Sequence, residues 1–79
     1  MTQKDMRFVI HTTPFKIFRL HLADGKSLRV PQPDFVMAGS SHVVVATENP
    51  DGAPGELNIV PYEHIVRLEY LTGRTRKAA

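Results

Sequence analysis

Four histidines, His11, His21, His42 and His64, are the side chains best suited to metal binding or proton transfer in this 79-residue chain. A zinc site needs several ligands that converge at short range, and none of the four stands at a ligand spacing from another His, Asp or Glu. There is no cysteine, which rules out thiolate sites and disulfides. No metal or cofactor is therefore expected, and the histidines read as surface or packing residues. Ser40-Ser41-His42 resembles a nucleophile beside a base. Adjacent residues do not normally set a serine oxygen on the neighbouring imidazole with a carboxylate behind it, so a β-turn is the stronger reading. Asp24, Asp34 and Asp51 each neighbour Gly or Pro, where turn chemistry accounts for them. Gly52 and Gly55 share a loop with two prolines and no following helix, which is not a phosphate cradle. No constellation for catalysis emerges, and an enzyme is not expected.

Nucleic-acid binding is the better-supported chemistry. Arg19, His21, Lys26 and Arg29 cluster in sequence, Tyr62 and His64 follow near the end, and Arg74, Arg76 and Lys77 close the chain. Small β folds bind single strands by joining a basic groove to aromatic stacking, and Phe35 and Tyr62 stand where a base could stack. The other aromatics, Phe8, Phe15, Phe18 and Tyr70, read as core. The competing reading is a solvated, charge-bearing sheet face. The formal charge of +2 decides little until it is located. Residues 1–73 hold seven Lys and Arg against all eight acids, a balance of −1, so the excess is in the last few residues.

The elements that must position these side chains begin with Phe15 to Val30. Apolar and polar residues alternate from Phe18 to Leu22, Asp24-Gly25 marks a turn, and alternation resumes at Leu28 and Val30. A two-residue Asp24-Gly25 loop would set Leu20 against Arg29. A three-residue loop of Ala23, Asp24 and Gly25 pairs Leu20 with Leu28 and Phe18 with Val30, and it needs a left-handed Gly25. The exposed face then carries Arg19, His21 and Arg29.

Before this hairpin, Thr2 to His11 forms a short helix. Thr2 is its N-cap, Asp5 completes a capping box, and Met6, Val9 and Ile10 make one apolar stripe. After it, Pro31 and Pro33 interrupt the ladder and Phe35 to Ala38 restarts an apolar stretch. His42 to Thr47 is a β-branched strand. Asn49 to Gly55 is a loop and the expected mobile tip. Glu56 to Val60 alternates with Leu57 and Ile59 inward. Pro61 to His64 is a tight or 3₁₀ turn, and Ile65 to Leu71 is the last strand, with Val66, Leu68 and Tyr70 on one face and Arg67 and Glu69 on the other. The reading is one domain over residues 1–73, with 74–79 a basic, disordered tail. It is mainly β: a five-stranded SH3-like or Sm-like barrel with a short N-terminal helix.

Residues 14–35 resemble the N-terminal signature of a family of small uncharacterised bacterial proteins. The matching positions are Pro14-Phe15, Phe18-Arg19-Leu20, Leu22, Asp24-Gly25, Val30 and Pro33-Asp34-Phe35. That resemblance implies a bacterial source and transfers no activity. A second likeness is to the bacterial Sm-like RNA chaperones, which share the helix, the bent strands and a Tyr-Lys-His segment before the last strand. Here Tyr62-Glu63-His64 takes that place, with a carboxylate where the family has its RNA-contacting lysine. The likeness implies the barrel more than it implies RNA binding.

No apolar run approaches the roughly 20 residues of a membrane span, and no signal-peptide core is visible, so a soluble cytoplasmic protein is expected. A core this small is marginal alone, which favours homo-oligomerisation or a protein partner. His42, Val43, Val44 and Val45 are the candidate interface, as an apolar edge strand able to pair with a second copy. The first functional expectation is thus a protein-interaction or self-assembly module, and the alternative is RNA or single-stranded nucleic-acid binding.

Overall fold

The helix α1 (Gln3–His11) begins at the expected cap. Asp5 N–H donates to Thr2 Oγ1 and Thr2 N–H donates to Asp5 Oδ2, both at 3.2 Å. At the other end His11 Nδ1–H donates to the Arg7 carbonyl at 3.0 Å and Thr12 Oγ1 donates to Phe8 O at 2.6 Å, which satisfies carbonyls the last turn leaves open. Met6 and Val9 face the core, while Phe8 is 72% exposed and is not the core residue it was expected to be. It falls off the stripe because it lies two positions from Met6 on a helix of 3.6 residues per turn.

The computed structural model describes residues 1–71; residues 72–79, which hold Arg74, Arg76 and Lys77, lie outside the described residues. After α1 come β1 (Phe18–Leu22), β2 (Ser27–Val30), a 3₁₀ turn (Pro33–Phe35), β3 (Val36–Ala38), β4 (His42–Glu48), β5 (Pro54–Pro61), a second 3₁₀ turn (Tyr62–His64) and β6 (Ile65–Tyr70). The strands form two antiparallel three-stranded sheets, ordered β2-β1-β6 and β3-β4-β5.

The first hairpin has the expected register, with Phe18 opposite Val30 and Leu20 opposite Leu28. Gly25 has φ +91°, its N–H donates to Leu22 O at 3.0 Å, and Leu22 N–H donates to Lys26 O at 2.8 Å. Asp24 Oδ1 accepts from Lys26 N–H at 2.9 Å, the local turn chemistry expected of aspartate. The second hairpin, between β4 and β5, repeats this device. Pro50, Asp51 and Gly52 form the loop, Gly52 has φ +88°, and Asp51 Oδ1 accepts from Ala53 N–H at 3.0 Å.

The mainly β reading with an N-terminal helix agrees with the structure, but there are six strands among the described residues rather than five, in two open sheets with no closed barrel. Pro31 and Pro33 supply no N–H, and the 3₁₀ turn buries Phe35 between β2 and β3, so the ladder stops there and the chain steps from one sheet to the other. One core joins them. Met6, Phe18, Leu20, Val30, Val43 and Val45 are its fully buried members. No helix among the described residues is long and apolar enough to cross a membrane.

Two expectations of strand parity need correction. Leu57 and Ile59 point outward, each 68% exposed. β5 takes its parity from β4, where Val43 and Val45 are buried and sit opposite Val60 and Asn58; Ile59 and Leu57 then pair with Val44 and Ala46 on the other face. Asn58 is accommodated inside because its Nδ2 donates to Val45 O at 3.2 Å. On β6 the register shifts near its start, between Ile65 and Arg67, so Ile65 is buried and Val66 is 64% exposed instead of joining Leu68.

Candidate functional site

The outer face of β2-β1-β6 gathers the basic residues. Arg29, Arg19 and Glu69 form one cross-strand row, and Ser27, His21 and Arg67 the next. Arg19 opposite Arg29 is a like-charge pair and is destabilising by itself. Glu69 flanks Arg19 on the other side, and Arg29 Nη1 pairs with Glu48 Oε1 at 3.0 Å. Both partners of that pair are more than a third exposed, so water screens it and its worth is small. His21 Nε2 lies 2.9 Å from Glu69 Oε1 and 3.2 Å from the Arg67 guanidinium. One imidazole nitrogen cannot donate to the carboxylate and accept from the guanidinium together, so a proton on Nε2 selects the Glu69 bond. The Lys16 ammonium stands 5.5 Å from the Tyr70 ring centre at the margin of this sheet.

Arg19, His21 and Arg29 are therefore together, as expected, and Arg67 joins them. Its place was legible in the alternation of the last strand, which separates Arg67 and Glu69 from Leu68. Pairing β6 to β1 was the missing step. Lys26 sits at the hairpin tip. His64 is exposed beyond that tip, its carbonyl accepting from Ala23 N–H at 2.8 Å. An open groove of about 440 Å³ separates the tip from Ile59, with Asp24 and His64 at its sides.

Tyr62 and Phe35 are corrected as stacking platforms, because they are 6% and 3% exposed. The Tyr62 hydroxyl donates to Gly39 O at 2.7 Å, and burial raises its pKa above 10.0. Their apolar rings complete the core at the two 3₁₀ turns, which leaves no ring face for a base.

The residues weighed for catalysis fall as follows. Ser41 Oγ and His42 Nδ1 do meet, at 2.8 Å, contrary to expectation, because Ser41 leads directly into β4 and its short side chain turns back onto the ring. Both are exposed, and among the described residues no hydrogen bond joins His42 to a carboxylate. The four histidines are spread over α1, β1, β4 and the second 3₁₀ turn, and among the described residues no three His, Asp or Glu side chains converge.

The interface expected at His42 to Val45 changes character. β4 is the central strand of its sheet, paired on both sides, so it offers no edge to another chain. Val43 and Val45 are fully buried, and Val44 with the exposed His42 faces outward. What β4 does carry is the middle of an apolar outer face. Met37, Val44 and Ile59 form one row across β3, β4 and β5, and Ala46 and Leu57 form the next. Met37 is 69% exposed, like its two leucine-sized neighbours. Between Met37 and Leu57 lies a shallow groove of about 200 Å³ floored by Val44 and Ala46.

Comparison with known proteins found no match to this chain among family models, curated proteins or solved structures.

Proposed function

We propose that this protein is a non-enzymatic protein-interaction or self-assembly module that works through the outer face of β3-β4-β5. The observation that carries the reading is the exposed row Met37–Val44–Ile59 with Leu57 beside it. The outer face of an antiparallel sheet is ordinarily polar. Each aliphatic side chain left in water forgoes roughly 1–2 kcal/mol that burial would supply. A contiguous patch of this kind marks an interaction surface more often than scattered leucines do. The two sheets read as an opened SH3-like or Sm-like barrel, divided at Pro31 and Pro33, with the 3₁₀ turn of Tyr62–His64 before the last strand.

Size-exclusion chromatography with light scattering, recorded at 260 and 280 nm, tests the reading. With no Trp and two Tyr, bound nucleic acid would dominate the absorbance. A protein-like peak heavier than one chain, reduced to one chain by Leu57→Lys with Ile59→Lys, supports it. A heavier peak that the double variant leaves unchanged refutes this face as the surface used.

A second reading, RNA or single-stranded nucleic-acid binding, is favoured by one observation: Arg19, Arg29 and Arg67 share one sheet face with His21. With Tyr62 and Phe35 buried, such binding would rest on phosphate contacts alone and would fall steeply with salt.

A further inference from the structure

We infer that the open edge of β5 pairs with the same edge of a second copy of this chain, antiparallel, about a two-fold axis at Asn58. The inference concerns the hydrogen-bonding edge of the sheet and stands apart from the reading of its outer face.

Hydrogen bonds at the strand ends set which backbone groups of β5 are open. In an antiparallel ladder the N–H and C=O of one residue point to the same side, and the side alternates along the strand. Gly39 N–H donates to His42 O at 2.8 Å, so His42 and Val44 direct their backbone groups to β3. Val43 and Val45 then bond to β5, where they stand opposite Val60 and Asn58. Tyr62 N–H donates to Ser41 O at 3.3 Å, which gives the same parity from the β5 side. Leu57 and Ile59 therefore turn their N–H and C=O away from β4. β5 is an end strand of its sheet, so no strand among the described residues meets them. Pro61, next in that series, has no N–H to offer. The open groove of about 440 Å³ beside Ile59, Val60 and Pro61 leaves this side accessible.

The other sheet edges among the described residues are guarded. β2 has four residues and carries Arg29, β3 has three and lies against α1, and β6 carries Arg67 and Glu69. Short length, cover and charge are the usual protections of an edge. β5 has eight residues, and Glu56 is its single charge. Its prolines, Pro54 and Pro61, stand at the two ends and leave Gly55 to Val60 unguarded.

A two-fold at Asn58 sets Leu57 opposite the partner's Ile59 and Ile59 opposite the partner's Leu57. Each outward N–H then meets the opposite C=O, two donors from each copy and four bonds in all. The two aliphatic pairs lie on one face and add to the ladder. Glu56 faces the partner's Val60, so no like charges stand opposite one another. A slip of one residue would set open groups against groups already bonded to β4. A shift of two would set Leu57 opposite the partner's Pro61, which has no donor, or Ile59 opposite the partner's Gly55, which has no side chain. The edge thus fits itself in one register, as an isologous contact requires. The product is a six-stranded sheet with both apolar outer faces on the same side.

Four backbone bonds and two aliphatic pairs make a weak, reversible contact, so the experiment spans about 10 µM to 1 mM protein. Light scattering measures mass, and amide hydrogen exchange by NMR reads each backbone N–H. The proposal expects a dimer in which the Leu57 and Ile59 amides exchange several-fold more slowly as concentration rises. The Asn58 and Val60 amides, bonded to β4, should not change. Leu57 and Ile59 belong to both the edge and the outer face, so two variants separate the surfaces. Ile59→Pro removes an outward N–H and leaves the β4 ladder intact, and it should stay monomeric. Met37→Thr with Val44→Thr changes the outer face alone and should still dimerise. Where Ile59→Pro fails to fold, the exchange pattern of the parent decides. A dimer that leaves the Leu57 and Ile59 amides unprotected, or that the threonine variant abolishes, overturns edge pairing and leaves the outer face standing. A species larger than two chains overturns the two-fold. A monomer up to about 1 mM overturns the proposal and leaves the outer face to another protein.

Discussion

The parity of β5 can be tested by comparing Val60→Ala with Ile59→Ala. Val60 is 6% exposed, and its truncation removes two methyl groups from the core. The transfer loss is about 1.6 kcal/mol, and a residual cavity of some 40–50 Å³ adds about 1 kcal/mol, for a total near 2.5 kcal/mol. Ile59→Ala removes three carbons, but the side chain is 68% exposed, so only about a third of a transfer loss near 2.4 kcal/mol applies and no cavity forms. The expected cost is about 0.8 kcal/mol. For a domain of this size each kcal/mol moves Tm by about 4–8 °C, which gives drops of about 10–20 °C and about 3–6 °C. Thermal and urea unfolding followed by circular dichroism measures both, and repeating it at two protein concentrations separates any contribution from association. A larger cost for Ile59→Ala than for Val60→Ala would mean that Leu57 and Ile59 face the core and that the pairing of β5 with β4 is wrong.

Gly25→Ala should cost about 1 kcal/mol or more, because φ of +91° is unfavourable for a side-chain-bearing residue although the added Cβ meets nothing within 4 Å; Gly25→Asn should cost less in the same unfolding assay. Tyr62→Phe should cost about 1 kcal/mol at neutral pH by removing the bond to Gly39 O. Burial raises the Tyr62 pKa, so its contribution is complete below pH 10.0 and is lost as pH rises through the folded-state value; Tyr62→Phe should lose less stability than the parent over that alkaline range, and equal losses would refute the burial argument. Arg19→Glu with Arg67→Glu should abolish any low-salt binding of single-stranded RNA measured by fluorescence anisotropy; parent binding that ignores salt, or survives both substitutions, would remove the phosphate-contact reading.

The first hairpin was legible to the residue because parity, loop length and a glycine all constrain it. Only one loop places Leu20 opposite Leu28 and also puts Gly25 where φ is positive. The capping box at Thr2 and Asp5 was legible for a similar reason, since its chemistry is complete within four residues. β5 was not. Leu57 and Ile59 alternate as convincingly as Phe18 and Leu20, but nothing local says which face of a strand its neighbour will bury. Val43 and Val45, a dozen or more residues away, decide it through the register. The central position of β4 was hidden for the same reason: a run of three valines suits a buried strand and a sticky edge equally. Tyr62 beside Glu63 and His64 read as surface because two neighbours are charged or polar, whereas a 3₁₀ turn aims one side chain in three at the core.

The two sheets of this chain offer a comparison that controls for size. Each has three antiparallel strands, and each turns one face to the shared core. The outer face of β2-β1-β6 carries Arg19, His21, Arg29, Arg67 and Glu69, as an exposed antiparallel face should. The outer face of β3-β4-β5 carries Met37, Val44, Ala46, Leu57 and Ile59. The only helix among the described residues cannot cover it, since Met6 and Val9 are committed to the core between the sheets. Backbone geometry does not demand apolar residues there; threonine or lysine would suit the same strand positions. The interaction proposed for this face would account for the difference, by giving those side chains something to meet outside the fold. A core this small is marginal by itself, and covering those side chains would add to its stability. If the proposed surface works by self-assembly, association and stability are coupled: Tm should rise with protein concentration, and the lysine variant at Leu57 and Ile59 should make Tm independent of it, whereas a parent Tm that does not change with concentration would refute self-assembly.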